Sequence, residues 1–294
     1  MVTPGMCARW VEEREERVRE VVGVMTRTTF ETVDQGQQLL LRTHTLPNPT
    51  PLALRSTNIH SLQWAILYHT NFTDRTHVAA GLKAASNSLD ATVDALIELK
   101  GDAEYALKDM VDQFERIERA LDATITQRKP LSELEATFED ALSITDDVLG
   151  KLQVTAITTA QHAKQTKMQV ENVKKLLSIQ NRRIQDASAG LAPGVLNELF
   201  CFSCLSRTQA RQLRQDLQVW DECNGEMIGL SKDLTTLGVQ LVQFRHNVKL
   251  VRSSWRRSAW TRGNVVDQIE DLRGRVAVLR GLMERKSGAV GVEA

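Results

Sequence analysis

The chain has 294 residues, of which 42% are apolar and 25% are charged, and its formal net charge is zero. This composition is typical of a globular protein with one large domain or two small ones. The balanced charge excludes a global field that would draw the chain to nucleic acid, so nucleic acid is not an expected partner. The four cysteines are irregularly spaced and the N-terminus has no apolar signal segment. We therefore expect an intracellular, cytoplasmic protein, with peripheral membrane attachment as the alternative.

The N-terminal part of the chain is predicted to be a helix followed by a linker. Residues 1–42 contain the charged run EEREERVREVV, with Val11, Val18 and Val22 roughly on one face of a helix. Three prolines follow within residues 43–57. Each proline removes a backbone donor and favours an extended conformation in the residue before it. We expect a charged N-terminal helix over 1–42 and a Pro-rich linker over 43–57.

The rest of the chain, residues 58–287, carries apolar residues at alternating steps of three and four. This spacing places them on one face of a helix. After a short first helix, it predicts long helices at about 78–127, 131–187 and 206–259, a shorter one at 265–286, and a frayed tail over 288–294. Short connections make neighbouring helices antiparallel. The predicted fold is all-α: an elongated antiparallel bundle or coiled coil of three long helices with shorter accessory helices. The clearest stripe, on the third long helix, comprises Leu213, Leu217, Trp220, Cys223, Met227, Leu230, Leu234, Leu237, Leu241, Phe244, Val248, Val251 and Trp255.

Two parts of these helices have an unusual composition. The middle of the second long helix, residues 155–167, has Ala and Thr on its inward face. Such small residues predict either a close approach between helices or a weakly held section, and the sequence leaves both open. Gly225 and Gly229 lie one turn apart in the third long helix, and we expect a notch there that a neighbouring helix approaches closely.

Charge is unevenly distributed along the chain. Residues 78–160 carry 16 acidic and 8 basic side chains, whereas residues 161–262 carry 16 basic and 8 acidic ones. In an antiparallel bundle the basic stretch from Arg245 to Arg262 lies beside the acidic stretch from Asp109 to Asp147. We expect these charges to neutralise each other within the fold.

The connection between the second and third long helices is the candidate tip for a membrane or a protein partner, over 191–214. Its flanks, within residues 161–215, have nine basic and three acidic side chains. Apolar residues between basic ones suit an anionic membrane surface. The main interpretation is nevertheless packing onto the end of the bundle or onto the N-terminal helix, and a protein-binding tip is a further alternative. The candidate residues are Lys174, Lys175, Arg182, Arg183, Leu199, Phe200, Phe202, Leu205, Arg207, Arg211 and Arg214.

Cys201 and Cys204 form a C-x-x-C pair within this connection. No second pair of cysteines or histidines completes a zinc site, and no βαβ pattern supports a thioredoxin-like motif. Ordinary thiols are the main interpretation, with acylation as the candidate modification because apolar and basic residues flank both cysteines. The segment WRRSAWTR, residues 255–262, alternates aromatic and basic residues, and we expect it to be structural.

The sequence contains no recognised catalytic, metal-binding or cofactor-binding motif. We expect a non-enzymatic coiled-coil scaffold without cofactor or metal, whose partner is another protein or a second copy of the chain. The alternative is a peripheral protein that curves or permeabilises membranes through the tip at 191–214. The layout of long helices resembles that of membrane-curving BAR modules and of helical pore-forming toxins. No motif residues carry either resemblance, and a fold does not imply a function.

Overall fold

The computed structural model describes the backbone of residues 4–69, 74–188, 207–254 and 265–289, and side chains mainly within 15–68, 74–179, 222–253 and 266–281. Every regular element in these residues is a helix, which confirms the all-α prediction for them. The helices are α1 (Pro4–Thr45), α2 (Pro49–His69), α3 (Arg75–Thr126), α4 (Leu131–Ser188), α5 (Arg207–Ser254) and α6 (Val265–Ala289).

The chain divides into two compact units. Unit 1 comprises Met1–Thr45, Gly101–Val154 and Val239–Ala294, and unit 2 comprises Leu46–Lys100 and Thr155–Gly238. Helices α3, α4 and α5 each contribute residues to both units.

Unit 1 combines an apolar core with ion pairs between its helices. Phe114 of α3 and Phe138 of α4 are among its largest fully buried side chains. Arg245 Nε of α5 donates to Asp146 Oδ1 of α4 at 2.7 Å, and Lys249 Nζ lies 3.8 Å from the same oxygen. These pairs confirm the predicted neutralisation for these two basic residues of α5. Further ion pairs join Arg273 to Glu118, Arg275 to Asp34 and Arg280 to Glu115.

In unit 2, α3 and α4 run antiparallel and approach each other closely. Thr92 and Thr166 are fully buried and their hydroxyl oxygens lie 2.8 Å apart. The Thr159 hydroxyl lies 3.1 Å from the carbonyl of Ala95 on α3 and 2.8 Å from the carbonyl of Thr155 in its own helix. The contact from α3 moves toward its C-terminus as the contact from α4 moves toward its N-terminus, which is the antiparallel order. The structure thus decides between the two interpretations of the Ala/Thr segment in favour of close approach, with the hydroxyls bonded across the interface.

The predicted linker over 43–57 is wrong except at residues 46–48. Helix α1 continues to Thr45, and α2 begins at Pro49 and includes Pro51. The first backbone N–H groups of a helix have no intrahelical partner, so prolines there sacrifice no hydrogen bond. Asn48 serves as the cap, because its Oδ1 accepts from the backbone N–H of Thr50 at 3.1 Å.

The core stripe of α5 is confirmed from Cys223 to Val248, where its residues are buried. Leu213, Leu217, Trp220 and Trp255 lie outside the described side chains. The predicted notch at Gly225 and Gly229 is wrong: a Cβ atom added at either position would meet no described atom within 4 Å. Both glycines are exposed, on the side of the helix away from the stripe.

Candidate functional site

Helix α2 is anchored in unit 2 by its inner side. Leu52, Ile59, Leu62 and Ile66 recur at helical spacing and are buried almost completely. The Ser56 hydroxyl lies 2.8 Å from that of Ser86 on α3. These contacts fix the rotation of α2 about its own axis and so determine which side chains it turns outward.

A second stripe, opposite the first, forms the outer face of α2. We define this outer face as Leu54, Thr57, Ser61, Trp64 and Tyr68, all of which are exposed. Its steps are three, four, three and four, the spacing of a seam between paired helices. The exposed fractions of the three large side chains are 64% for Leu54, 48% for Trp64 and 63% for Tyr68. A core-facing helix normally has charged and polar residues on its outer side, whereas α2 has three large apolar side chains there.

The aromatic end of the outer face is ordered by its own contacts. The rings of Trp64 and Tyr68 are stacked, with centroids 5.4 Å apart and an angle of 6° between their planes. His60 approaches the Trp64 ring edge-on at 6.3 Å. Stacking restricts the two large rings to one arrangement and so lowers their side-chain entropy.

The outer face of α2 also lacks formal charge. Arg55 is the only Lys, Arg, Asp or Glu within Pro49–His69. It lies on the inner side, where its guanidinium pairs with Glu226 at 2.6 Å and with Glu222 at 3.7 Å on α5. A helix face that stays in water normally carries charged residues. Charge depletion together with exposed Trp and Tyr is instead the composition of the centre of a protein interface.

Between those two glutamates lies the buried thiol of Cys223, which is fully enclosed. Burial is the largest effect and raises its pKa to about 11. The charge of Arg55 lowers the pKa by a smaller amount, and the charge of Glu226 raises it slightly. A thiol with this pKa is protonated at neutral pH and is a poor nucleophile. Cys223 therefore serves packing.

The structure describes little of the tip predicted over 191–214. Lys174 and Lys175 on α4 are exposed. The backbones of Arg182, Arg183, Arg207, Arg211 and Arg214 are helical, but their side chains lie outside the described ones. Further candidates that lie wholly outside the described residues are Leu199, Phe200, Cys201, Phe202, Cys204, Leu205 and the segment 255–262.

Exposed apolar residues on the other helices form smaller groups. On α4, Val154 and Ile157 are exposed one turn apart, and on α5 so are Val239 and Val242, but neither group includes an aromatic side chain. Single exposed apolar side chains are ordinary on protein surfaces. Across the described residues, no group of His, Cys, Asp and Glu side chains is arranged to hold a metal ion. No described helix has an apolar stretch of the length and hydropathy needed to cross a bilayer.

The outer face of α2 is therefore the candidate functional site. The sequence analysis missed Leu54 and Thr57 by assigning residues 49–57 to a linker, and it did not single out the outward side of the short helix predicted from residue 58. No protein-family model matches the chain, and no curated protein matches it.

Proposed function

We propose that the protein is a non-enzymatic, intracellular helical scaffold that binds a protein partner through the outer face of α2. One observation carries the proposal: five exposed positions at the spacing of a helix seam, three of them large and apolar and none charged. Packing a partner helix against them removes Leu, Trp and Tyr surface from water without burying an unpaired charge.

In this proposal the long helices serve as the frame. We propose that α3, α4 and α5 pack as antiparallel neighbours. The contacts between Thr92 and Thr166 and between Arg245 and Asp146 support this arrangement. Such a frame holds the inner side of α2 in place, through Arg55 to α5 and through Ser56 to α3, and leaves the outer face exposed. A rigid support keeps the outer face pre-organised for binding.

Affinity capture with the full chain tests the proposal. The bait variant Trp64→Ser/Tyr68→Ser removes the aromatic end of the outer face. The matched control, Ile97→Ser/Tyr105→Ser, removes two equally exposed large residues from α3. We expect at least one protein, which can be the chain itself, to be retained by the wild type and the control and lost by the face variant. An identical set of bound proteins on all three baits would refute the role of this face.

Peripheral membrane binding through residues 191–214 is the second proposal. Its support is the basic excess over 161–215 and the exposure of Lys174 and Lys175. Co-sedimentation with anionic and neutral vesicles tests it, using Phe200→Ser/Phe202→Ser as the variant. Binding to anionic vesicles that the variant loses would support the tip, and the absence of binding to either vesicle would exclude it.

A further inference from the structure

We propose that the occupant of the outer face of α2 is α2 of a second copy of this chain, packed antiparallel with a twofold axis at Ser61. This inference rests on the proposed function and names its partner. It follows from the order of large and small residues along the outer face, from the absence of charge, and from the size of the exposed surface.

The two ends of the outer face are equidistant from Ser61. Leu54 and Tyr68 lie seven residues to either side of Ser61, and both are large and about equally exposed. A closed twofold interface requires that each residue of one copy find its complement in the same patch of the other. With the axis at Ser61, Leu54 of each copy lies opposite Tyr68 of the other.

The middle of the outer face is built from small residues. Thr57 and Ser61 are exposed, and the two helix backbones can approach closely where they meet. In the antiparallel pair Trp64 of one copy lies at the level of Thr57 and Asn58 of the other. A large ring thus faces a small residue on each side of the axis, which is the alternation that lets paired helices interdigitate.

The absence of charge on the outer face favours a second copy of the chain over an anionic lipid surface or a charged partner helix. The outer face has no basic residue that would attract an anionic lipid surface. A charged partner helix would lose the hydration of its charges against Leu54, Trp64 and Tyr68 without gaining an ion pair. An uncharged, heptad-spaced helix face suits best, and a second copy of the chain supplies one.

The size of the outer face sets the expected strength of the pair. Two half-exposed aromatic rings and one Leu offer roughly 300–400 Å² per copy, given that a buried aromatic residue removes about 150–250 Å² from water. Stable interfaces bury about 800 Å² per partner. Because the outer face offers only about half of that area, the α2 pair is expected to be a weak, transient dimer that is populated where the chain is concentrated.

Sedimentation velocity of the full chain from about 1 μM to 1 mM measures this dimer. We expect a monomer–dimer equilibrium for the wild type and for the control Ile97→Ser/Tyr105→Ser. Trp64→Ser/Tyr68→Ser should weaken the dimer by roughly tenfold or more, as truncation of interface aromatics does. Monomer at every concentration of wild type, or an unchanged equilibrium in the face variant, would overturn the proposal.

Cysteine cross-linking tests the antiparallel geometry. The background carries Cys7→Ser, Cys201→Ser and Cys204→Ser, and keeps the buried Cys223. Two copies of Ser61→Cys meet at the axis and should form a disulfide under mild oxidation. Two copies of Tyr68→Cys lie about 21 Å apart along an antiparallel pair, since a helix rises 1.5 Å per residue. That separation exceeds the roughly 7 Å limit for a disulfide.

A mixture of Leu54→Cys and Tyr68→Cys should form the mixed disulfide. Efficient self-linking of Tyr68→Cys would indicate a parallel pair and overturn the antiparallel proposal, as would the absence of linking through Ser61→Cys. If the chain is monomeric but the affinity capture identifies another protein that depends on Trp64 and Tyr68, the scaffold proposal stands and self-pairing falls. If neither experiment depends on these residues, both proposals fall.

Discussion

The link between α4 and α5 in unit 1 can be tested at Gly150. A Cβ atom added there would lie 3.1 Å from both Cζ and one terminal nitrogen of the Arg245 guanidinium. The guanidinium is held on both sides, by Asp146 at 2.7 Å and by the Gln153 side-chain oxygen at 3.4 Å. Gly150→Ala therefore has two opposing effects, the gain in helix propensity and the displacement of Arg245.

The magnitudes decide the expected sign. Alanine stabilises a helix interior relative to glycine by about 1 kcal/mol. A hydrogen bond to a charged group contributes roughly 1.5–3 kcal/mol, and the displacement sacrifices part of it. We expect Gly150→Ala alone to change the free energy of unfolding by between zero and about 1 kcal/mol in the destabilising direction. In an Arg245→Ala background the same substitution should stabilise by about 1 kcal/mol, because only the propensity gain remains.

Urea denaturation, followed by far-UV circular dichroism, measures the free energy of unfolding of the wild type, the two single variants and the double variant. The matched control is Gly101→Ala on α3, where an added Cβ meets no described atom within 4 Å and should stabilise equally in both backgrounds. Independent sites add to within about 0.5 kcal/mol. If Gly150→Ala has the same effect with and without Arg245, to within that margin, the guanidinium is not held over Gly150 and the reasoning fails.

Three further substitutions probe other features of the fold. Arg128, in the turn between α3 and α4, has a φ of 53°, so Arg128→Gly should raise the free energy of unfolding by about 1 kcal/mol in thermal denaturation; a loss of stability would contradict the left-handed assignment. Ala163 on α4 is fully buried, so Ala163→Leu should destabilise by about 1–3 kcal/mol, whereas Gln161→Leu at an exposed position should change stability little; equal effects would contradict close packing. Burial raises the pKa of Cys223 from 9.0 to about 11, so the unfolded chain loses this proton first as pH rises. Stability contributed by the protonated thiol is therefore complete below pH 9 and falls between pH 9 and 11, by about 2–3 kcal/mol in all; the pH dependence of wild type and Cys223→Ala should diverge over that interval, and parallel curves would show that the thiol is not buried.

Much of the helical core could be predicted from the sequence because burial there follows the helix period alone. The α5 stripe is buried from Cys223 to Val248. The apolar residues that recur at helical spacing on α3 are also buried, namely Leu89, Val93, Leu96, Leu107, Met110, Phe114, Ile117 and Leu121. An inward position requires an apolar side chain whichever residue it packs against. The buried face can therefore be predicted from the spacing of apolar residues along the sequence.

The Ala/Thr segment of α4 could not be resolved in this way. Whether a buried threonine weakens or joins a helix pair depends on the carbonyl or hydroxyl that faces it. Thr166 finds the carbonyl of Ser88 at 2.7 Å and the hydroxyl of Thr92 at 2.8 Å, both on α3. These partners lie more than seventy positions away in the chain, so helical periodicity within α4 carries no information about them.

The outer face of α2 could have been found from the sequence, and the reason it was missed is physical. Three prolines in five residues argue against a helix only where they would fall in its interior. Pro49 and Pro51 instead occupy the first turn of α2, where no hydrogen bond is lost. Once that start is recognised, residues 54–68 show a buried apolar stripe on one side of the helix and, on the opposite side, an exposed face that includes Leu54, Trp64 and Tyr68. We interpret a helix with large apolar side chains on both sides and a single inward-facing charge as a surface for another chain, in line with the proposed function. The substitutions at Trp64 and Tyr68 therefore test this interpretation of the sequence and the function of the protein together. If the face variant kept every interaction of the wild type, the second stripe would have no role in binding.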